Sequence, residues 1–207
     1  MPTAAQLLAF AGVSLALILA PGPNLVYILT RSVAHGRRAG LVSAAGVETA
    51  TLAHVAAAAL GVAELIARSE AAFLVLKYAG VGYLAYLGIK ALRGSAAPDL
   101  EGQAQPAALW RTFRDGALVN LLNPKVALFF LAFLPQFAAP GPAARTHMLV
   151  LGSVFFAIAL ALDVIYALAG GAVSAWLRRR PRVLDRQHYA IGGVYLVLGA
   201  VAALPVS

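Results

Sequence analysis

Six long apolar segments, separated by short polar stretches, dominate the pattern of hydrophobic and polar positions along this chain. Each segment is at least 18 residues long, and a helix that crosses the hydrocarbon core of a bilayer needs about 20 mostly apolar residues. The pattern therefore predicts an all-α membrane protein with six transmembrane helices. The predicted spans are Ala4–Thr30, Gly40–Ala67, Ala71–Leu92, Thr112–Ala138, Thr146–Leu177 and Tyr189–Val206.

Composition supports this prediction and excludes a soluble globular domain. Of the 207 residues, 61% are hydrophobic and 12% are charged, whereas a soluble domain usually carries about 25% charged residues. The mean hydropathy is +0.83. The first apolar segment has no positive n-region and is longer than a signal peptide, so we interpret it as a retained helix.

Basic residues concentrate in three short loops, those after the first, third and fifth spans. These loops hold 12 of the 16 Lys and Arg residues in the chain. Because such residues favour the cytoplasmic side, we expect the three loops in the cytoplasm and both termini outside. The residues concerned are Arg31, Arg37 and Arg38, then Lys90, Arg93, Arg111 and Arg114, then Arg178, Arg179, Arg180, Arg182 and Arg186.

A polar segment rich in small residues and proline divides the chain into two halves. Residues 1–93 would form the first three-helix half, residues 94–111 a flexible cytoplasmic linker, and residues 112–207 the second half. An odd number of spans gives the halves opposite orientations in the membrane. The sequence thus predicts two inverted three-helix repeats.

Each half opens with a span that proline interrupts, and the two breaks lie at similar distances from basic cytoplasmic residues. Proline removes a backbone donor, and a helix that restarts exposes free amides with a partial positive charge that suits a carboxylate. Pro and Gly can also be simple kinks in membrane helices, but matched interruptions in two halves favour a binding site. The candidate substrate-binding residues are Pro21, Gly22, Pro23, Asn24, Asn120, Asn123, Pro124 and Lys125.

Three ionisable residues lie within the second spans of the two halves. Glu48 and His54 belong to span two, and Asp163 belongs to span five. Acids inside a membrane usually mark an ion or substrate path, so these residues are candidates for binding a substrate ammonium or exchanging a proton. Structural hydrogen bonding to neighbouring helices is the alternative for each of them.

The sequence contains no motif that indicates another kind of chemistry. The four histidines are scattered without metal-ligand spacing, there is no cysteine, and no phosphate loop or nucleophile elbow occurs. The basic loops lack the aromatic residues of nucleic-acid modules. We therefore expect no enzyme activity, no cofactor, no metal and no nucleic-acid partner.

Four motifs carry a resemblance that covers essentially the whole chain, and together they are specific. The motifs are Ala-Pro-Gly-Pro-Asn ending at Asn24 with the stretch Arg31–Gly40 after it, the Gly- and Tyr-rich run Lys77–Gly88, Asn123-Pro124-Lys125 leading to Phe129–Phe137, and Asp163-Val164-Ile165-Tyr166. In these motifs the sequence resembles the LysE/RhtB family of bacterial amino-acid exporters.

The resemblance implies a multi-pass protein of the bacterial inner membrane that exports amino acids or their derivatives in exchange for protons. Family members handle lysine or arginine, homoserine and threonine, leucine, or cysteine-pathway compounds. Glu48 departs from the family, where we expect a shorter acid or an amide. A passive small-solute channel and a non-transporting membrane assembly partner stay open as alternatives, and the small-residue helix faces would permit a homodimer.

Overall fold

The computed structural model describes most of the chain, and within the described ranges every regular element is a helix, as the sequence predicts. The described residues are 2–20, 22–61, 70–93, 106–138 and 143–177, with Tyr189, Gly193, 195–197 and Ala200. The helices are α1 (Ala4–Leu19), α2 (Pro23–His35), α3 (Arg37–Ala59), α4 (Glu70–Arg93), α5 (Pro106–Leu121), α6 (Pro124–Leu128), a π-helical segment (Phe129–Phe133), α7 (Leu134–Phe137) and α8 (Ala144–Leu177).

Two helices in the described part are long and apolar enough to cross a membrane by themselves. They are α3 and the segment Ala144–Val173 of α8. A third candidate span arises when α1 and α2, which are bent by 54° relative to each other, are taken together. These spans identify an α-helical membrane protein, while the sequence predicts six of them. The sixth predicted span lies largely outside the described residues.

The first predicted break lies between α1 and α2. Helix α1 opens with a capping box, in which Thr3 Oγ1 accepts from the Gln6 backbone amide and Gln6 Oε1 accepts from the Thr3 amide. It ends at Leu19, and α2 starts at Pro23 because proline is preorganised for a first helical turn. Pro21 itself lies outside the described residues.

The second predicted break separates α5 from α6. Asn123 caps α6 by accepting a hydrogen bond from the Lys125 amide, and Pro124 is the first helical residue. Farther on, the Leu134 amide bonds the Phe129 carbonyl in π-helical geometry. The helix widens next to Pro135, because proline has no amide to continue the regular pattern of α-helical hydrogen bonds.

Part of the predicted linker is helical. Helix α5 begins at Pro106, so residues 106–111 are helical although the sequence interpretation assigned them to the linker of residues 94–111. The reason is local, because proline fits the first turn and the following Ala-Ala-Leu favours a helix. Residues 94–105 lie outside the described ranges.

Helix α3 lies at the centre, packed against both α5 and α8. Glycines permit the close approach. A Cβ built on Gly46 would lie 2.1 Å from the Phe113 carbonyl oxygen, and one on Gly116 would lie 2.8 Å from the Ser43 carbonyl oxygen. On the other side of α3, a Cβ on Gly152 would meet Val55 at 2.5 Å. These glycines therefore allow α3 to lie in close contact with α5 on one side and with α8 on the other.

Charged residues gather at one end of this bundle. Arg31 of α2 pairs with the buried Asp115 of α5 at 3.8 Å, and Arg114 contacts the same carboxylate at 3.1 Å. The last turns of α8 approach the start of α3, because a Cβ on Gly171 would lie 2.9 Å from Arg37 Cβ. Segments that adjoin all three predicted basic loops thus meet at the same end.

Candidate functional site

The two breaks, about one hundred positions apart in sequence, meet inside the protein. Asn24 in the first turn of α2 donates through Nδ2 to Asn120 Oδ1 at 2.9 Å. Asn123 donates through its own Nδ2 to Asn24 Oδ1 at 3.0 Å. The Asn24 amide is thereby held on both of its polar atoms by the other break.

Asn120, which is itself fully buried, is the centre of a hydrogen-bond network. Its Nδ2 donates to the Val47 carbonyl at 2.6 Å and to Thr51 Oγ1 at 2.8 Å, both on α3. Its backbone oxygen lies 3.2 Å from His54 Nε2. The His54 ring in turn stacks on Phe130 with centroids 5.7 Å apart. Asn120 and His54 therefore lie in the packing between α3, α5 and the second break.

Replacing Asn120 with Ala is expected to destabilise the protein strongly. The change removes three side-chain hydrogen bonds and leaves buried groups on Asn24, Val47 and Thr51 without this partner, at about 1 kcal/mol or more for each group. We expect a lower unfolding temperature in detergent by intrinsic fluorescence. Ser153→Ala is the matched control, because Ser153 is exposed and its hydroxyl bonds the Leu149 carbonyl of its own helix. Equal unfolding temperatures for the two variants would contradict this role.

Lys125 joins the second break to the end of α1. Its Nζ donates to the Ala20 carbonyl oxygen at 2.6 Å, which supplies a partner to a carbonyl at a helix C-terminus. A Cβ placed on Gly22 would lie 3.6 Å from that Nζ. The lysine ammonium is thus held beside the first break.

A cavity opens beside these contacts, and two acids face it from opposite helices. Glu48 of α3 and Asp163 of α8 are 3% and 5% exposed, and their carboxyls are close enough to share a hydrogen bond. Glu48 Oε2 meets no hydrogen-bond donor among the described residues. A proton on the pair would supply that donor, and it would remove the repulsion between two adjacent buried carboxylates.

Six of the predicted site residues line this cavity, four others do not, and Pro21 lies outside the described residues. Pro23 and Pro124 start α2 and α6, while Asn120 and His54 are in the hydrogen-bond network behind it. The cavity also takes in residues that the sequence interpretation did not single out. The predicted lining residues are Gly22, Asn24, Glu48, Asn123, Lys125 and Asp163, and the additional ones are Leu17, Ile18, Ala20, Leu25, Thr51, Val126, Phe155 and Ala159.

Helical spacing is the signal that could have found several of the additional residues. Thr51 follows Glu48 by three positions on α3, so the two share a helix face. Ala159 and Phe155 precede Asp163 by four and eight positions on α8 and share its face in the same way. In the described part of the chain, no group of three or more metal-ligating side chains comes together.

Comparison with known proteins supports a translocator rather than an enzyme. The sequence is 33% identical over 187 residues to a homoserine/homoserine lactone efflux protein of Salmonella typhimurium, with 90% of each chain covered. It is 32% identical over 195 residues to a leucine efflux protein of Klebsiella pneumoniae, covering 89% of this chain and 88% of the relative.

A third relative is an uncharacterized membrane protein of Pseudomonas aeruginosa, which is 34% identical over 198 residues and of which 89% is covered. No solved structure matches this chain significantly. Residues 15–205 match the family described as LysE type translocator. This family match and the relatives confirm the resemblance carried by the sequence motifs, and the chain belongs to the LysE type translocator family.

Proposed function

We propose that this protein is a secondary active exporter of amino acids or their derivatives that exchanges its substrate for protons. The observation that carries the proposal is the pairing of two buried carboxyls, Glu48 and Asp163, on the cavity that Lys125 also lines. Acids and a cation on one intramembrane cavity provide partners for both charges of an amino acid. The efflux relatives named above support the same substrate class.

The substrate carboxylate would bind beside the two breaks. Lys125 provides an ammonium there, and the first turn of α2 provides backbone amides that have no partner within the helix. Asn24 and Asn123 add neutral side-chain donors and acceptors at the same place. The substrate ammonium would then bind toward Glu48 and Asp163.

Proton coupling follows from the charge balance of the acid pair. Without substrate, one proton relieves the repulsion between the two carboxyls. A substrate ammonium brings a positive charge that can replace that proton, so substrate and proton compete for the same two side chains. Competition of this kind produces antiport if each occupant shifts the equilibrium between inward- and outward-open states.

The membrane arrangement is also part of the proposal. Six spans in two inverted halves would place the two breaks face to face, and the hydrogen bonds from Asn24 to Asn120 and Asn123 support that relation. The basic residues that collect at one end support a cytoplasmic location for that end, with both termini outside. The bacterial inner membrane is the location in this proposal, because an exporter of cytoplasmic amino acids must lie in the membrane that encloses the cytoplasm.

Transport by the purified protein in liposomes tests the proposal. Vesicles are loaded with a radiolabelled amino acid, and its release is followed with and without an imposed pH gradient. An antiporter releases substrate faster when protons are available to exchange. A passive channel would release it equally under both conditions, and an assembly partner would release none, so either result would overturn the proposal.

A further inference from the structure

We propose that Ala159 and Phe155 of α8 select the transported side chain, and that the substrate is an amino acid with an uncharged side chain whose size Ala159 limits. This inference rests on the proposed function, since it assumes that the cavity holds an amino acid. It adds the chemical class of the substrate side chain and the residues that select this side chain.

Position along α8 separates the charged end of the cavity from an apolar end. Asp163, Ala159 and Phe155 are spaced four residues apart and all three line the cavity. At a rise of about 1.5 Å per residue, Ala159 lies about 6 Å and Phe155 about 12 Å along the helix axis from Asp163. An ammonium bound at Asp163 would therefore leave the rest of the molecule lying along Ala159 toward Phe155.

Apolar groups form the wall that surrounds this stretch. Leu17 and Ile18 at the end of α1 and Val126 of α6 line the same cavity. Phe155 is held by aromatic contacts, with ring centroids 4.9 Å from Phe129 and 5.0 Å from Phe130. A wall fixed in this way is suited to a hydrocarbon side chain and rigid enough to discriminate by shape.

A positive charge on the substrate side chain is disfavoured by the same set of residues. Among the described lining residues the charged ones are Glu48, Asp163 and Lys125. When the acids hold the substrate's α-ammonium, a second cation beside the apolar wall would lack a partner, and Lys125 would repel it. Burying an unpaired charge in such a site is strongly unfavourable.

Ala159 sets the room available for the side chain. Ala159 is 4% exposed and lies one helical turn from both Phe155 and Asp163. A larger residue there would occupy the space between the ammonium site and the aromatic wall. Glycine would enlarge that space by one methyl group.

The test compares the wild-type protein with Ala159→Leu, Ala159→Gly and the control Ala161→Leu. Ala161 lies on the same helix but is exposed, so enlarging it leaves the cavity unchanged. Each protein is assayed with alanine, homoserine, leucine, phenylalanine and lysine, both for release from liposomes and for thermal stabilisation in detergent. The second readout reports binding independently of transport.

We expect the wild type to handle neutral amino acids at least about ten times better than lysine, which corresponds to about 1.4 kcal/mol. Ala159→Leu should reduce the release of leucine and phenylalanine at least about tenfold relative to the release of alanine. Ala159→Gly should instead raise the release of leucine and phenylalanine relative to that of alanine. This variant keeps the test decisive if the Leu variant does not fold. Ala161→Leu should match the wild type.

Two results would overturn the inference. One is that lysine is handled as well as the neutral amino acids, and the other is that the Ala159 variants leave the ratios between large and small side chains unchanged. Binding with the expected ratios but without release would overturn the proposed transport and leave the selectivity supported. Neither binding nor release of any of the five amino acids would overturn both.

Discussion

Replacing Asp163 with Asn is expected to lower proton-driven export at least about 100-fold, close to complete loss in cells. The amide keeps the shape but cannot carry the negative charge that an ammonium needs or take up the exchanged proton. Loss of a charge-assisted hydrogen bond worth about 3 kcal/mol gives a change of that size. The measurement is resistance of cells to a toxic amino-acid analogue, combined with release from liposomes.

Ser153→Ala on the same helix is the control for Asp163→Asn. Ser153 is exposed, and its hydroxyl bonds the Leu149 carbonyl within α8, so its loss should leave export unchanged. The amount of each variant in the membrane must be compared by immunoblot. Normal resistance in cells that contain normal amounts of the Asp163→Asn protein would contradict the role given to this acid.

The liposome assay also distinguishes the role of Asp163 from that of Glu48. Exchange of labelled for unlabelled substrate without a pH gradient requires binding but no net proton movement. A Glu48→Gln protein that still exchanges substrate and no longer responds to the gradient would identify Glu48 as the proton carrier. If only Asp163→Asn behaves in this way, the carrier is Asp163 and Glu48 holds the ammonium.

Gly46→Ala is expected to have the largest effect on folding. Its new Cβ would lie 2.1 Å from the Phe113 carbonyl oxygen, and because the contacting atom belongs to the backbone, α3 and α5 must separate. Overpacking of this kind destabilises by about 1–3 kcal/mol or more. We expect a sharply reduced yield of folded protein and a lower unfolding temperature in detergent.

Two other glycines provide matched controls for that variant. A Cβ on Gly12 or on Gly82 would meet no described residue within 4 Å, and alanine is the better helix former by about 1 kcal/mol. Gly12→Ala and Gly82→Ala should therefore be neutral or slightly stabilising. If Gly46→Ala unfolds at the same temperature as these controls, the close crossing of α3 and α5 is wrong.

The sequence predicted those parts of the structure that have a local chemical signal. Prolines at positions 23 and 124 mark where α2 and α6 begin, and acids inside apolar segments, such as Glu48 and Asp163, are conspicuous because they are rare there. Both signals can be read without knowing how the helices pack. The start of α5 at Pro106 could not be read from the sequence because proline is as compatible with a helix start as with a loop.

The remaining parts depend on tertiary contacts that one sequence does not encode locally. That Asn24 bonds Asn120 and Asn123 could be suspected from matched breaks, but the pairing of individual atoms could not. Phe155 and Ala159 were missed because an apolar residue carries no chemical signal of its own in a chain that is 61% hydrophobic, and only their helical spacing from Asp163 distinguishes them. The six-span count, the two halves and the roles of the site residues stay predictions.

Asparagine amides form the contacts of Asn24 with the second break, which has a consequence for how the membrane potential acts on this protein. A potential of 100 mV acts on each full charge that crosses the membrane with about 2.3 kcal/mol, whereas an amide carries no net charge. The contacts of Asn24 with Asn120 and Asn123 are therefore insensitive to both voltage and pH. Electrical and proton driving forces would act on a charged substrate, on the acid pair and on Lys125, whereas the asparagine contacts between the two breaks would keep the same strength in an energised and a de-energised cell.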